Sequence, residues 1–222
     1  MTYTGEVVVG GPADVRVLEE LEIRKLAVGP MANDAYLLTC RRTGERLLVA
    51  SARPDGPLQT VVTTHRHRDH VGALADVVAA TGARVAVGAD DAAAVTAATG
   101  VRTDRALAHG DTVAVGDVHL EVVALRGHTP GSVALAYREP EHAAGPEARA
   151  GRVHLFTGDS LFPGGVGSTD HDPVRFGRLL DDVTERVFAR FDDDTWVYPG
   201  HGADTTLGAE RPHLAGWRAR GW

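Results

Sequence analysis

The feature that most constrains this chain is a short run of metal-ligand side chains, Thr64-His65-Arg66-His67-Arg68-Asp69-His70. An apolar run with strand character precedes it, and a pattern with helical spacing follows. Residues two apart in an extended segment point the same way, so we expect His65 and His67 to face one metal ion. As the chain turns into the helix, Asp69 and His70 are expected to face a second ion. Four candidate ligands within six residues would be costly to desolvate without a metal, so the run predicts a metal centre.

Three further candidate ligands each follow a predicted strand and lie beside glycine. They are His128 in G-H-T-P-G-S, Asp159 in G-D-S and His201 in P-G-H-G. Glycine allows tight turns and a close approach of the backbone. Ligands that arrive from several strand ends would converge on one edge of a sheet, which is a common place for a cleft.

The remaining pattern alternates short β-branched runs with a few helical segments. Strands are predicted at Val7–Val9, Ile23–Val28, Ala35–Cys40, Arg46–Ala50, Leu58–Thr63, Arg84–Val87, Thr112–Val115, Val118–Leu125, Ser132–Arg138, Val153–Thr157 and Thr195–Tyr198. Helices are predicted at Val71–Thr81, at Ala89–Thr99 with a cap near Asp90, and at Pro173–Phe191, with a polar tail at the C-terminus. This order predicts an α/β fold with two packed sheets and outer helices, in a single domain spanning residues 1–222.

Composition limits the partners that we expect. The 23 basic and 30 acidic residues give a net charge of -7 without a basic run, so nucleic acid is not an expected partner. The single cysteine, Cys40, excludes an internal disulfide framework and a multi-cysteine metal site. Neither a secretory signal nor an apolar run of membrane length is visible, so we expect a cytoplasmic protein without a membrane partner, acting on a small molecule. The oligomeric state stays open.

In the order T-H-x-H-x-D-H, G-H-T-P-G-S, G-D-S and P-G-H-G, the chain resembles the metallo-β-lactamase superfamily, and most of all its glyoxalase II-like hydrolases. The resemblance covers roughly residues 23–210. It implies an αββα sandwich with two metal ions at one edge. By this resemblance His65, His67 and His128 would hold the first ion. Asp69, His70 and His201 would hold the second, and Asp159 would bridge the two.

The ligand types suit two divalent ions, with zinc expected and iron or manganese as alternatives. Two such ions about 3.5–4 Å apart can share a water and lower its pKa toward about 7. The expected reaction is attack of the resulting hydroxide on a thioester, ester or lactone carbonyl. Asp69 is placed to orient the hydroxide or accept its proton, so Asp69 and Asp159 are the expected catalytic residues.

Two differences from known members of the superfamily narrow the range of expected substrates. True metallo-β-lactamases lack the bridging aspartate, so the presence of Asp159 disfavours antibiotic hydrolysis. Glyoxalase II itself carries a C-terminal helical region that binds glutathione, whereas only 21 residues follow His201 here, which disfavours a glutathione thioester.

Two alternative functions stay open. A persulfide dioxygenase of a neighbouring branch would use a single iron held by His65, His128 and Asp159. A degenerate member of the fold would only bind a ligand. The segment Ala50-Ser51-Ala52-Arg53-Pro54 favours the second alternative, because relatives commonly have an aspartate and a helix there. Loss of that support can cost about 10–100-fold in metal affinity or activity.

Overall fold

The computed structural model describes residues 2–50, 56–145 and 147–221. Numbered in chain order, the first sheet comprises Asp14–Val17 (β1), Leu21–Val28 (β2), Asn33–Cys40 (β3), Arg46–Val49 (β4), Thr60–Thr63 (β5), Arg84–Gly88 (β6) and Arg105–Leu107 (β7). The second comprises Thr112–Val115 (β8), Val118–Ala124 (β9), Val133–Arg138 (β10), Val153–Gly158 (β11), Trp196–Pro199 (β14) and Thr205–Thr206 (β15). A small hairpin pairs Leu161–Phe162 (β12) with Gly165–Val166 (β13).

Both sheets are mixed. In the first, the strands follow chain order from β1 to β7, antiparallel as far as β4 and parallel from β4 to β7. In the second, the order is β15-β14-β11-β10-β9-β8, and β11 pairs with β14 in parallel. Parallel neighbours end at the same edge of a sheet, so residues that follow such strands are brought together.

The helices lie on the outer faces of the two sheets. They are Arg68–Val71 (α1), Leu74–Thr81 (α2), Ala92–Thr99 (α3), Pro173–Val183 (α4), Leu207–Glu210 (α5) and Leu214–Arg220 (α6). Between the sheets lies an apolar cluster that includes Leu38, Leu135 and Phe156. Val77 of α2 and Val95 of α3 pack in a second cluster on the first sheet, and α4 and α6 pack in a third on the second sheet. The predicted αββα sandwich is therefore confirmed.

Several predicted elements are corrected by the structure. Val7–Val9 is not a strand: it has no sheet partner among the described residues, and Val8 and Val9 are 70% and 54% exposed. A β-branched run favours a strand only where a neighbouring strand accepts its hydrogen bonds. The predicted helix Pro173–Phe191 is α-helical to Val183 and continues as a π-helix through Thr184–Phe188.

The C-terminal segment is not a simple polar tail, because α6 buries Trp217 against the core of the second sheet. The predicted loss of a helix after β4 concerns residues 51–55, which lie outside the described residues. None of the described helices is long and apolar enough to cross a membrane.

Candidate metal centre

All seven predicted ligands meet at one edge of the sandwich. The first sheet contributes the connection between β5 and α1, and the second contributes three loops that follow β9, β11 and β14. The ligands are His65 and His67 before α1, Asp69 and His70 within it, His128 between β9 and β10, Asp159 after β11, and His201 after β14. Backbone hydrogen bonds join the sheets here, from Val133 N to Thr64 O at 2.9 Å and from Asp34 N to Gly200 O at 2.7 Å.

The ligand atoms form two groups with one carboxylate between them. In the first group (His65, His67 and His128) and in the second group (Asp69, His70 and His201), the ligand atoms lie within 4.8 Å of one another. Asp159 Oδ2 lies 3.9 Å from His65 Nε2, 3.7 Å from His128 Nε2 and 3.6 Å from His201 Nε2. Asp159 Oδ1 lies 3.2 Å from His70 Nε2. Asp159 therefore contacts both groups, which is the placement that a bridging ligand requires; the ligand roles stay a prediction.

Two imidazoles of the first group present an unpaired nitrogen to this space. His128 Nδ1 lies 2.7 Å from the carbonyl oxygen of Ser168, so Nδ1 carries the proton and Nε2 keeps its lone pair. Within the described residues, His65 Nε2 and His128 Nε2 are buried without a hydrogen-bond partner. Buried polar atoms without a partner are costly, and a metal ion would satisfy both nitrogens. The residues present thus fit a divalent metal.

The pKa shifts of four candidate ligands agree with metal binding. Burial, with the neighbouring imidazole of His70, lowers the pKa of His65 well below its usual value, and burial also lowers the pKa of His128. Burial of Asp159 opposes ionisation, but the imidazoles of His70, His128 and His201 together outweigh this and lower the pKa of that carboxyl. Burial of Asp69 likewise opposes ionisation, but the hydrogen bond from Asn33 and the imidazoles of His70 and His201 together lower its pKa. Neutral imidazoles and ionised carboxylates are the forms that bind metal ions.

Glycines allow the ligand loops to close tightly around Asp159. A Cβ on Gly200 would overlap Asp159 Oδ1, and a Cβ on Gly167 would overlap the Asp159 carbonyl oxygen. Gly158 has a φ of +50°, and a Cβ there would lie 2.5 Å from Thr64 Oγ1. Gly158 of the G-D-S motif and Gly200 of the P-G-H-G motif are therefore required by the close approach of these loops.

Asn33 supports the second group, and the sequence analysis did not single it out. Its Nδ2 donates to Asp69 Oδ2 at 2.8 Å and lies 3.3 Å from His201 Nε2. A β-bridge between Asn33 and His201 fixes the two backbones side by side. A polar residue that begins an otherwise apolar strand was the only signal in the sequence.

Arg175 of α4 holds the loop that carries His128. Its guanidinium donates to the carbonyl oxygens of Gly127 and His128 and to the carboxylate of Asp170. Asp170 and His171 both adopt left-handed conformations, with φ of +55° and +59°, in the turn before α4. Asp172 caps α4, and His171 is exposed and belongs to none of the ligand groups found among the described residues.

Comparison with known proteins agrees with this geometry. Residues 37–201 match the family model of the metallo-beta-lactamase superfamily. This chain belongs to that superfamily. A hydroxyacylglutathione hydrolase from Polaromonas sp. is 34% identical over 180 residues, which cover 76% of this chain and 62% of that protein. The predicted likeness to the glyoxalase II-like branch is thus confirmed, although the chain spans less than two thirds of that relative's length.

Two solved structures share both fold and moderate sequence identity with this member of the superfamily. ETHE1 from Myxococcus xanthus is 27% identical with a TM-score of 0.69, covering 87% of this chain and 84% of its own. TTHA1623, solved in a di-iron-bound form, is 29% identical with a TM-score of 0.61, covering 84% of this chain and 96% of its own.

Proposed function

We propose that this chain is a dinuclear metal-dependent hydrolase that cleaves a thioester, ester or lactone of a small molecule in the cytoplasm. The observation that carries the proposal is that seven imidazole and carboxylate side chains meet at one edge, where Asp159 groups with His65 of the first set and His70 of the second. Similarity to a hydroxyacylglutathione hydrolase supports hydrolysis at an acyl carbonyl. The family match alone would not favour this reaction over others on the same fold.

The donor set indicates which metals to expect. His65, His67 and His128 would hold one ion, and the second group the other, with Asp159 between them. Nitrogen and carboxylate donors suit zinc, and the di-iron form of a similar protein keeps iron as an alternative. Two bound divalent ions would supply a water with a pKa of about 7 and would polarise the substrate carbonyl.

The chain's own groups would orient water and substrate. The lowered pKa of Asp69 keeps its carboxylate ionised at neutral pH, and the Asn33 amide fixes one of its oxygens. Asp69 therefore has the charge and the fixed position needed to accept a hydrogen bond from a water and orient it. The side chains of Asp69 and His201 are 20% and 24% exposed, whereas His65 is 1% exposed. Substrate would consequently approach from the side of the second group.

A hydrolysis assay on the metal-loaded chain tests the proposal. A hydroxyacylglutathione, an aryl ester and a lactone would be compared by thiol, phenol or acid release. We expect turnover of at least one substrate, and Asp159→Ala should abolish it because both ligand groups lose their shared carboxylate. Circular dichroism would verify that the variant folds. Unchanged turnover by a folded Asp159→Ala chain would refute the role of Asp159.

Metal analysis and an oxygen-uptake assay on the same preparation distinguish the hydrolase from the persulfide dioxygenase. That reaction would use one iron on His65, His128 and Asp159, so it predicts one ion per chain and oxygen uptake with a persulfide. A chain with two ions and no oxygen uptake would favour the hydrolase.

A further inference from the structure

Asp91 is a buried carboxylate that joins the two loops carrying the first ligand group. It is fully buried, with 0% exposure. Its Oδ2 accepts hydrogen bonds from Arg66 N at 3.0 Å and from Thr129 Oγ1, and its Oδ1 accepts from Gly131 N at 3.0 Å. Arg66 lies between His65 and His67, and Thr129 follows the third ligand directly. One carboxylate therefore binds both loops at once.

The helix that follows Asp91 does not explain this burial. Asp90 and Asp91 precede an alanine-rich helix, and the sequence predicts a cap there. Asp91 occupies the N-cap position of α3, but its side chain makes no capping hydrogen bond with the described residues of that helix. Asp90 is exposed. Burying a carboxylate is costly, and here its hydrogen bonds go to the ligand loops instead.

Close backbone packing leaves little freedom for these contacts. A Cβ on Gly131 would overlap the backbone nitrogen of Asp91, and a Cβ on Gly88 would overlap the carbonyl oxygen of Gly131. The end of β6 and the turn after His128 are thus pressed together at Asp91. The guanidinium of Arg66, with Nε 3.8 Å from Asp91 Oδ1, offsets part of the buried charge.

We propose that Asp91 is the positioning residue of the first ligand group. By holding Arg66 N and the Thr129 hydroxyl, it sets the spacing between the His65–His67 segment and the His128 loop. It touches none of the ligand imidazoles and acts through the loops that carry them. This inference rests on the proposed metal-binding function and assigns the residue that links the two loops of one of its two ion sites.

Asp91→Asn tests the proposal with little change in size. Its amide NH₂ cannot accept a hydrogen bond, so at least one loop contact is lost. Glu139→Gln is the matched control, because Glu139 is also buried and accepts hydrogen bonds from Arg149 N and His154, but lies beside the opposite end of β11 from Asp159.

Zinc affinities of the full chain would be measured by competition with a chromophoric chelator, and melting temperatures with and without zinc. In Asp91→Asn we expect one of the two ions to bind about 10–100-fold more weakly. We also expect a smaller zinc-dependent rise in Tm. Glu139→Gln should lower the Tm of the metal-free chain but leave both affinities unchanged. If Asp91→Asn does not fold, Thr129→Val, which removes one donor, should weaken the same ion by a smaller factor.

The outcomes are distinguishable. Wild-type affinities in the folded variant, or equal weakening in Glu139→Gln, would overturn the positioning role alone. A wild-type chain that binds no zinc, iron or manganese would overturn the proposed function as well.

Discussion

The two ligand groups are held in place in different ways. Around the first group, Asp91 and Arg175 bind the backbone of the loops that carry the histidines. Around the second, Asn33 contacts the ligand side chains themselves. The first group is also more deeply buried, since two of its three side chains are buried against one of three in the second, where the side chain of His201 is 24% exposed.

A buried ion-pair cluster lies behind the second group. Lys25 Nζ is 3.0 Å from Asp34 Oδ2 and 2.7 Å from Asp204 Oδ1, and it donates to the carbonyl oxygen of Gly202 at 2.7 Å. Burial raises the pKa of Asp34 to about 6, although the Lys25 ammonium opposes the shift. Asp34 and Gly202 follow Asn33 and His201 directly, so this cluster fixes the backbone on which the second group depends.

The difference indicates that the two proposed ion sites need not be equally strong. The backbone of both groups is fixed by folding, but two of the three side chains of the first group are buried and so held in place, whereas two of the three in the second lie at a partly exposed edge. Preorganised ligands bind more tightly, because less ordering is required on binding. We therefore expect the first group to retain its ion when the second loses its own.

The largest effect is expected from Gly200→Ala. This substitution should remove the difference in metal affinity between the two ligand groups, because it disturbs both. The new Cβ would overlap Asp159 Oδ1 and lie 2.8 Å from His70 Cε1, so ligands of both ions are displaced. A displacement of about 1 Å can cost about 100-fold in rate, and we expect at least that loss together with weaker binding of both ions. Gly177→Ala is the control, since a Cβ there has no neighbour within 4 Å. Gly200→Ala activity equal to that of the control would contradict the account.

Lys25→Met should affect the second group and the stability of the fold together. It leaves two buried carboxylates without their cation, and breaking such a pair costs about 3–5 kcal/mol of unfolding free energy. Urea denaturation with a zinc titration would measure both effects. Arg24→Ala, which breaks a half-exposed pair with Glu22, should change stability by less than about 1 kcal/mol. Equal effects of the two substitutions would show that the buried cluster has no special role.

Asn33→Ala should increase the difference in affinity between the two ion sites, because it weakens the second site alone. Removing the amide takes away the hydrogen bond to Asp69 Oδ2, so the second ion should bind about 10-fold more weakly while the first is unchanged. Stepwise zinc competition on the folded variant resolves the two ions. Equal weakening of both would mean that the groups are not supported independently.

The smallest effect on metal binding is expected at His154, which lies away from both groups. It is buried between Glu139 and Tyr198, and burial lowers its pKa to about 4. The unfolded chain binds a proton at this residue below about pH 6.5, whereas the folded chain does so only near pH 4. Stability should therefore fall as pH drops from 6.5 toward 4.

His154→Gln should show a shallower slope over that range, by at most about 1.4 kcal/mol per pH unit, with unchanged zinc affinity at pH 7. Urea unfolding of the metal-free chains at several pH values measures the slope. An identical slope in both chains would contradict the assignment of this proton to His154.

The ligands could be predicted from sequence because they form local patterns, either packed into six residues or flanked by glycine at strand ends. Their supports could not. Asp91 contacts Arg66, Thr129 and Gly131, which are up to 40 positions away, and Asn33 meets His201 across 168 positions. Such contacts exist only once the two sheets have packed, and in the sequence an aspartate before a helix is indistinguishable from an ordinary cap.

The same reasoning applies to the fold. Central strands with long apolar runs, such as β3, were predicted. The short edge strands β1 and β7 were not predicted, because they have few residues and partly exposed side chains. Val7–Val9 shows the opposite error, since its composition favours a strand that finds no neighbour among the described residues.

The most direct test of the central claim is a stepwise zinc titration of the wild-type metal-free chain, with elemental analysis at saturation. We expect two ions per chain, bound in two steps, with the tighter step insensitive to Asn33→Ala. Saturation at one ion, or two ions weakened equally by Asn33→Ala, would contradict that claim.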